Sequence, residues 1–196
     1  MVEAYSPRLA PCHLFAHWGF LPQNDRMVLA VDPKFGIRSF QDLRRTKPAL
    51  RIATSTNDGT NFIGYTAHAY LNAHGITESE LTSWGGSIVT AHRPEQTIML
   101  VLSGLADAIL QEAIMTPWWE DITQNKKLIP LPMEASALEQ FVLENPGTTN
   151  PKPQPFPAGF WDSLLEPLPS LDFSDFVVLV REDLPGDVAH LLTWCS

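Results

Sequence analysis

Residues Leu50 to Tyr70, with the sequence LRIATSTNDGTNFIGYTAHAY, decide the fold that the chain predicts. The stretch starts with a short apolar run, Leu50 to Ala53, and passes through a polar, turn-forming loop. It then becomes helix-periodic, so that Ile63, Ala67 and Tyr70 share one apolar face. The order is strand, loop, helix, which is the repeating unit of an α/β sheet.

The loop of this unit is a candidate anion site. In an α/β sheet, the loop after a strand lies at the carboxyl edge, where ligands bind in a crevice. Thr60 or Asn61 can cap the following helix, and the unpaired N–H groups of its first turn suit a carboxylate or a phosphate. The same residues are equally typical of an ordinary capped turn without a ligand. The loop consists of Thr54, Ser55, Thr56, Asn57, Asp58 and Gly59.

Composition and charge limit the classes of function. The chain has 196 residues, of which 44% are hydrophobic and 18% charged, and these values predict a soluble globular protein with one domain or two small lobes. A formal charge of −9 argues against nucleic acid and against an anionic membrane surface as partners. Cys12 and Cys195 predict neither a metal site nor a disulfide scaffold. No secretory signal is visible at the start, which indicates a cytoplasmic chain or one whose start has been lost.

Further elements alternate along the chain. Arg26 to Val31 is predicted as a buried strand, and Glu80 to Trp84 as a strand followed by a small polar loop at Gly85 and Gly86. Ala106 to Leu110 is a third strand, with Gln111 and Glu112 just beyond its end. The remaining predicted elements are a helix capped by Ser39, a helix from Pro94 to a stop at Gly104, a short helix at Thr116–Ile122, a strand at Lys127–Leu131, a helix face of Leu138, Phe141 and Val142, a strand at Phe173–Val180 and a helix at Leu184–Cys195.

Four strands alternating with helices between Leu50 and Leu131 predict a compact, largely parallel α/β lobe. Right-handed crossovers would bring three polar loops to one edge of its sheet. The segment from Asn145 to Pro169 is rich in proline and is predicted to cross between lobes. Trp118 and Trp119 point to different sides of a helix, so that one can be core and the other can face a cleft.

Catalytic signatures are absent from the sequence. There is no GxSxG elbow, phosphate-binding Walker loop, HExxH or GxGxxG pattern. His13 and His17 are four residues apart, a spacing that can serve a metal, but no third ligand is evident. Asp58 and His68 could form an acid–base pair, although their spacing fixes no geometry. We therefore expect no catalytic group, no metal and no cofactor.

Three segments of the chain resemble one protein family, in the family's own order. IRSFQDLRRTKPALRIATSTNDGTNFIGYTAHAYLNAHGI resembles the segment in which a pattern written sIkDLkGkrvavg…GSGT opens a second lobe. LSGLADAIL is similar to the pattern l.dGkiDAaf, and FPAGFW with LDFSDFVVLVREDLPGDVAHLLTW is similar to the ending ipaGtY.g…lvvrdDLpedvvy.it. The family is the TAXI group of TRAP-transporter solute-binding proteins, which are type 2 periplasmic-binding-protein-like. The resemblance covers about Gly36 to the end of the chain.

The resemblance implies an α/β protein with two lobes of mostly parallel sheets, joined by a hinge. A small organic anion, often an amino acid or a dicarboxylate, would be held between the lobes. Here the first lobe would be incomplete, with residues 1–48 as its remainder and hinge strand, 49–133 as the complete lobe and 134–196 as a segment returning to the first lobe. The sequence has DGT where the family usually has GSGT, and it lacks the export signal and most of the first lobe, which indicates a fragment or a split gene product.

Loop positions and the resemblance together give the candidate ligand-binding residues. They are Ser55, Asn57, Gly59, Thr60, Asn61, Trp84, Gly85, Gly86, Gln111, Glu112 and Trp118. The resemblance further implies a TRAP-type membrane permease as partner and an extracytoplasmic location. The apolar surface of the incomplete lobe, including Val188, Leu191 and Leu192, predicts a homodimer through that lobe.

The alternative function is an enzyme on the same fold, such as a decarboxylase or dehydratase acting on a small carboxylic acid. Its acid–base groups would come from the histidines and carboxylates of the chain. The candidates are His13, His17, Asp58, His68, His92 and Glu112.

Overall fold

The structure is a computed structural model that describes residues 15–21, 24–113, 117–149, 153–174, 176–181 and 183–195. Its strands are β1 (Phe15–Leu21), β2 (Arg26–Val31), β3 (Arg51–Ser55), β4 (Ser87–Ala91), β5 (Ala108–Glu112), β6 (Ile129–Pro130), β7 (Leu171–Asp172) and β8 (Phe176–Arg181). Its α-helices are α1 (Phe40–Thr46), α2 (Phe62–Ala73), α3 (Glu78–Ser83), α4 (Pro94–Leu102), α5 (Pro117–Glu120), α6 (Ala135–Glu144) and α7 (Gly186–Cys195). None of the helices in these ranges is long and apolar enough to cross a bilayer.

The chain divides into two compact units. The smaller unit combines residues 1–23 with 174–196, and its described part is an antiparallel pair of β1 and β8 with α7. The larger unit, Asn24–Phe173, extends beyond the lobe predicted at 49–133, because elements on both sides of that range pack into the same cores. Within the smaller unit, Val188 and Leu191 are exposed as predicted. Phe173, in contrast, lies outside β8 and is buried in the larger unit, which corrects its assignment to the strand predicted at Phe173–Val180.

The larger unit is built on one mixed sheet with the order β4-β3-β5-β2-β6. β3 pairs in parallel with β4 and with β5, whereas β2 is antiparallel to β5, β6 and β7. Five of its six strands therefore run in one direction, and β2 runs in the other. The predicted α/β class with mostly parallel strands is confirmed for this unit.

Helices cover both faces of this sheet. Strand alternation sends Leu29 and Leu110 to one face, where they pack with residues of α1, α2, α3 and α6. The neighbouring Val28 and Ile109 reach the other face and pack with α4 and α5. Each face thus has its own buried apolar core, and the sheet is doubly wound.

The predicted strand at Glu80–Trp84 is wrong, because these residues belong to α3 and its C-terminal turn. Thr77 and Glu80 form a capping box, in which the Thr77 hydroxyl accepts from the Glu80 N–H and the Glu80 carboxylate accepts from the Thr77 N–H. The T-x-x-E spacing was visible in the sequence. The second parallel strand lies after the helix, as β4.

The proline-rich segment, described at residues 145–149 and 153–169, belongs to the larger unit, whereas the sequence predicted a crossing between lobes. Phe156 and Trp161 are buried in the same apolar core as Trp119 of α5, and the Trp161 ring stacks on that of Trp119 at 5.3 Å. Phe156 also pairs with Leu168 through two backbone hydrogen bonds. Aromatic burial, and not backbone regularity, fixes this segment.

Gly64 provides a test of the packing of α2 against the loop after β3. A Cβ at Gly64 would overlap the carbonyl group of Thr56. Alanine favours a helix interior by about 1 kcal/mol over glycine, but this overlap costs more. We expect Gly64→Ala to lower the free energy of unfolding by about 2 kcal/mol or more, measured by urea denaturation.

The matched control is Gly186→Ala, since Gly186 has open space around its Cβ position and no left-handed backbone. Its effect should stay within about 0.5 kcal/mol. Equal effects of the two substitutions would contradict the close contact between α2 and the loop.

Candidate functional site

The carboxyl ends of β3 and β5 form the switch point of the doubly wound sheet. The chain leaves β3 through α2 on one face, reaches β4, and enters β5 through α4 on the opposite face. In sheets with this pattern, a crevice opens where the connections diverge, and ligands bind there. We therefore build the candidate site from the residues at this edge.

Ser55 and Gln111 form a polar floor at the switch point. The parallel register, in which Ala53 is opposite Ile109, sets Ser55 beside Gln111. The Gln111 Nε2 donates to the Ser55 Oγ at 3.0 Å, and the Gln111 Oε1 accepts from the Glu112 N–H at 3.1 Å. Both side chains are buried and hydrogen-bonded. They hold the ends of the two strands together beneath the loop that follows β3.

The loop after β3 is organised by Asp58. The Thr60 N–H and hydroxyl both donate to Asp58 Oδ1, at 2.9 and 2.7 Å, and these bonds lower the pKa of Asp58. Gly59 has the left-handed backbone (φ +81°) that the turn requires. Asn57 and Thr60 are exposed. The loop therefore exposes polar side chains to solvent, and hydrogen bonds within the loop stabilise its turn.

Asn61 caps α2, and its side chain binds the helix-start N–H groups that were predicted to bind an anion. Its Oδ1 accepts from the N–H groups of Ile63 and Gly64 at 3.0 and 3.1 Å. These N–H groups are therefore satisfied by the chain itself, as in an ordinary capped turn. The Thr56 hydroxyl lies 3.3 Å from His92 Nδ1, so that polar groups from the ends of β3 and β4 also meet here.

Asp25 and Glu112 form a carboxyl pair that sequence reasoning missed. Burial raises the pKa of Asp25 from its ordinary 3.8 to about 6, and that of Glu112 from 4.5 to about 7. The charge of the neighbouring Asp25 carboxyl also raises the pKa of Glu112. With these raised pKa values, Glu112 keeps its proton up to about neutral pH.

A buried ion pair lies beside these carboxyl groups. The Arg26 Nη1 is 2.8 Å from Asp172 Oδ1, and both side chains are almost fully buried. This contact joins β2, where the chain enters the larger unit, to β7, where it leaves. The Arg26 Nη1 also donates to the Asp25 carbonyl oxygen at 2.9 Å. A buried cation is thereby fixed close to Asp25.

Trp84, Gly85 and Gly86 are not brought to the candidate site. Register pairs Ser87 with Arg51 and Ala91 with Ser55, so the turn before Ser87 lies at the amino edge of β4. This edge is about 13 Å from Ser55, the length of four strand residues. Gly86 serves packing there, because a Cβ would meet the Leu50 carbonyl oxygen at 2.5 Å.

Trp118 and Trp119 differ in burial, as predicted from their adjacent positions on a helix. The Trp119 side chain is buried, and its Nε1 donates to the Glu112 carbonyl oxygen at 2.7 Å. Trp118 is 44% exposed. Trp119 thus anchors the end of β5, and Trp118 is available to solvent beside it.

The acid–base groups considered for an enzyme are mostly apart. Asp58 bonds with Thr60, whereas the His68 Nδ1 lies 2.8 Å from the Gly64 carbonyl oxygen and its Nε2 lies 3.6 Å from Glu78. His13 falls outside the described residues, as does the side chain of His17. Within the described ranges, no group of three or more His, Cys, Asp or Glu side chains could hold a metal ion.

The carboxyl pair predicts a distinct pH dependence of stability. A carboxyl group with a raised pKa binds its proton more tightly in the folded protein than in the unfolded chain. Its contribution is therefore full below the ordinary pKa and is lost as pH rises through the folded value. For Asp25 and Glu112, the free energy of unfolding should fall between about pH 4.5 and 7. Burial lowers the pKa of His74 to about 4. His74 therefore makes the free energy of unfolding rise with pH between about 4 and 6.5, which opposes the effect of the two carboxyl groups.

Substitution of Glu112 separates the effect of the carboxyl pair on the pH dependence of stability from the effect of His74. Glu112→Gln keeps a donor to Asp25 but carries no titrating proton. Between pH 5 and 8, the decline in the free energy of unfolding should be smaller in this variant than in the parent by about 2 kcal/mol, given 1.36 kcal/mol per pKa unit. Urea denaturation at each pH is the measurement, with Glu139→Gln, at an exposed position of α6, as control. Identical pH profiles for all three proteins would contradict the raised pKa of Glu112.

Comparisons with known proteins find no matching family model and no matching curated protein. Among solved structures, an ABC transporter from Clostridium perfringens ATCC 13124 has 15% identity and a TM-score of 0.39, covering 60% of this chain and 40% of its own. A two-component system protein that mediates signal transduction has 15% identity and a TM-score of 0.40, covering 97% of this chain and 52% of its own. The chain thus spans about half or less of these structures. At such TM-scores, neither likeness assigns a fold family or a function.

Proposed function

We propose that the chain is a solute-binding protein, or a fragment of one, that captures a small organic anion such as an amino acid or a dicarboxylate. The observation that carries the proposal is the meeting of Ser55 and Gln111 at the switch point of the sheet. Around it lie polar groups from several strand ends, including Thr56, Asn57 and Glu112. A binding site requires such convergent groups but no catalytic constellation.

The sequence resemblance supports the finer form of this proposal. Segments from about Gly36 to the end resemble TAXI-group proteins, whose ligand-contacting loop corresponds to the loop after β3. We accordingly propose a type 2 periplasmic-binding-protein-like fold, an extracytoplasmic location and a TRAP-type permease as partner. A homodimer through the smaller unit stays a prediction.

We propose different roles for the predicted binding residues, according to their burial and hydrogen bonds. Ser55 and Gln111 are buried and support the site from below. Asn57 is exposed, and its side chain makes no hydrogen bond within the described ranges, so it is free to bind a ligand. Asn61 is needed by α2 as its cap. Asn57 is therefore the sharper test of binding, since its loss should leave the fold unchanged.

The test is calorimetric titration with a panel of amino acids and dicarboxylates. We expect at least one member to bind and Asn57→Ala to weaken it about ten-fold, which corresponds to about 1.4 kcal/mol for one lost hydrogen bond. Asn72→Ala is the control, because Asn72 is also exposed but lies near the far end of α2. A panel member that binds both variants with parental affinity would place the site elsewhere.

One observation favours an enzyme as the second candidate function. The pKa values of Asp25 and Glu112, about 6 and 7, lie in the range that general acid–base catalysis uses. Such an enzyme would convert a small carboxylic acid, with the pair moving the proton. The binder is preferred because the sequence resemblance is to solute-binding proteins, and because Asp58 and His68 bond with other partners within the described ranges.

Prolonged incubation separates the two candidates. A binder returns its ligand unchanged, so mass spectrometry of the same panel should detect no product. Conversion that is lost in Glu112→Gln and Asp25→Asn, but retained in Glu139→Gln, would establish the enzyme and overturn the binder.

A further inference from the structure

The sheet of the larger unit has one protected edge and one open edge. At the protected edge, β6 is only two residues long, contains Pro130 and follows Lys126 and Lys127. Short length, proline and lysine are the features by which proteins keep an edge strand from pairing with another chain. At the open edge, β4 has five residues, Ser87–Ala91, and none of them is charged or a proline. The two edges therefore differ in their capacity to accept a further strand.

The ends of β4 direct their backbone groups toward β3. The Ser87 N–H donates to the Leu50 carbonyl oxygen at 3.0 Å. At the other end, the Ala91 carbonyl oxygen accepts from the Thr56 N–H at 3.1 Å. The register between the two strands is regular at every position in between, so no bulge interrupts the ladder.

The direction of the remaining backbone groups follows from this register. Along a regular strand, the N–H and C=O groups of successive residues point alternately to one neighbour and to the other. Val89 therefore points to β3, as Ser87 and Ala91 do, whereas Ile88 and Thr90 direct their N–H and C=O groups outward. No strand of the described ranges lies on that side of β4. An edge strand with unused donors and acceptors is a template for pairing.

We propose that β4 is the pairing surface for a second copy of this chain, which joins it in antiparallel orientation around a two-fold axis at Val89. The two sheets then form one continuous sheet across the dimer. Such an interface is isologous, because each copy contributes the same strand. This surface differs from the apolar face of the smaller unit, and the inference goes beyond the proposed binding of a solute.

The register of the two copies is set by the outward backbone groups. With Val89 on the axis, Ile88 of one copy lies opposite Thr90 of the other, and each such pair exchanges both of its backbone hydrogen bonds. Every outward group of both strands is then satisfied. A register centred on Ile88 would instead place Thr90 opposite Gly86, whose N–H already donates to the Leu81 carbonyl oxygen at 2.9 Å.

The side chains of β4 are compatible with pairing to themselves. Val89 faces its symmetry mate in a non-hydrogen-bonded pair, in which the Cα atoms are about 4.5 Å apart. Since the strand has no charged residue, no like charges lie opposite each other. Ile88 and Val89 are only half-buried in the single chain, so pairing removes further apolar surface from water. Before the strand, Gly85 and Gly86 present no side chain to the other copy.

Sedimentation velocity of the whole chain, from low micromolar to millimolar concentration, measures the pairing. A contact of one short strand per copy is smaller than a standard interface, so we expect a reversible dimer with a dissociation constant of about 10–100 µM. Thr90→Pro removes an outward N–H but no hydrogen bond within the chain, and an edge strand tolerates proline at such a position. It should weaken the dimer at least ten-fold, because each copy loses one hydrogen bond across the interface.

Thr90→Ala is the matched control. Alanine keeps the N–H group, so its dissociation constant should stay close to that of the parent. Urea denaturation of both variants below the dissociation constant checks that each monomer is folded.

A disulfide cross-link tests the position of the two-fold axis. In a chain with Cys12 and Cys195 replaced by serine, Val89→Cys should give a covalent dimer on mild oxidation, because the expected separation of about 4.5 Å between Cα atoms suits a disulfide. Asn72→Cys in the same background is the control, since Asn72 is exposed on α2 and away from the edge of the sheet. It should cross-link much less.

Three results would overturn the inference. They are a chain that stays monomeric at millimolar concentration, a Thr90→Pro variant that dimerises as tightly as the parent, and equal cross-linking of the two cysteine variants. A dimer that persists in Thr90→Pro but is lost in Leu191→Glu would assign the interface to the smaller unit, where Leu191 is 61% exposed. The proposed binding of a solute is tested separately and stands or falls without this dimer.

Discussion

The parallel pairing of β3 with β4 on one side and β5 on the other is the constraint on which the candidate site depends. It places β3 at the centre of the three parallel strands and sends the connecting helices to opposite faces of the sheet. This topology predicts a ligand crevice at the carboxyl ends of the parallel strands. The register then decides its chemistry, because it sets Ser55 beside Gln111.

The antiparallel strand β2 adds charge to this edge. Asp25 immediately precedes this strand and Arg26 is its first residue, and Met27 pairs with Glu112 at the end of β5, so three ionisable groups lie close together in a poorly solvated region. Arg26 forms an ion pair with Asp172, and burial raises the pKa values of Asp25 and Glu112. Burial of charges without full compensation is costly, and such groups are often found where a ligand supplies the missing partner.

Local patterns were sufficient for part of the fold. The apolar run Arg26–Val31 and the periodic face of α2 were predicted from sequence, since each is fixed by its own residues. The strand β4 was missed because its side chains are only half-buried, and α3 was mistaken for a strand despite its T-x-x-E cap. The packing of residues 153–169 depends on distant aromatic partners, which no local pattern shows.

The candidate site was predictable to a similar extent. Ser55, Gln111 and Glu112 could be expected at strand ends, but the predicted partners Trp84, Gly85 and Gly86 lie at the opposite edge, since they precede a strand instead of following one. Asp25 could not have been found, because only the pairing of β2 with β5 brings it to Glu112. Long-range strand pairing, and not residue type, assembles this part of the site.

Mapping the ligand-induced changes in backbone amide NMR shifts tests the central claim, that the carboxyl edge of the sheet is the binding site, most directly. Titration of the whole chain with an amino acid that binds should shift the amides of Ser55–Asn61 and Gln111–Glu112 most. The amides around Gly85 and Gly86, at the opposite edge, should stay in place. Shifts concentrated at that opposite edge, with none at the ends of β3 and β5, would contradict the account.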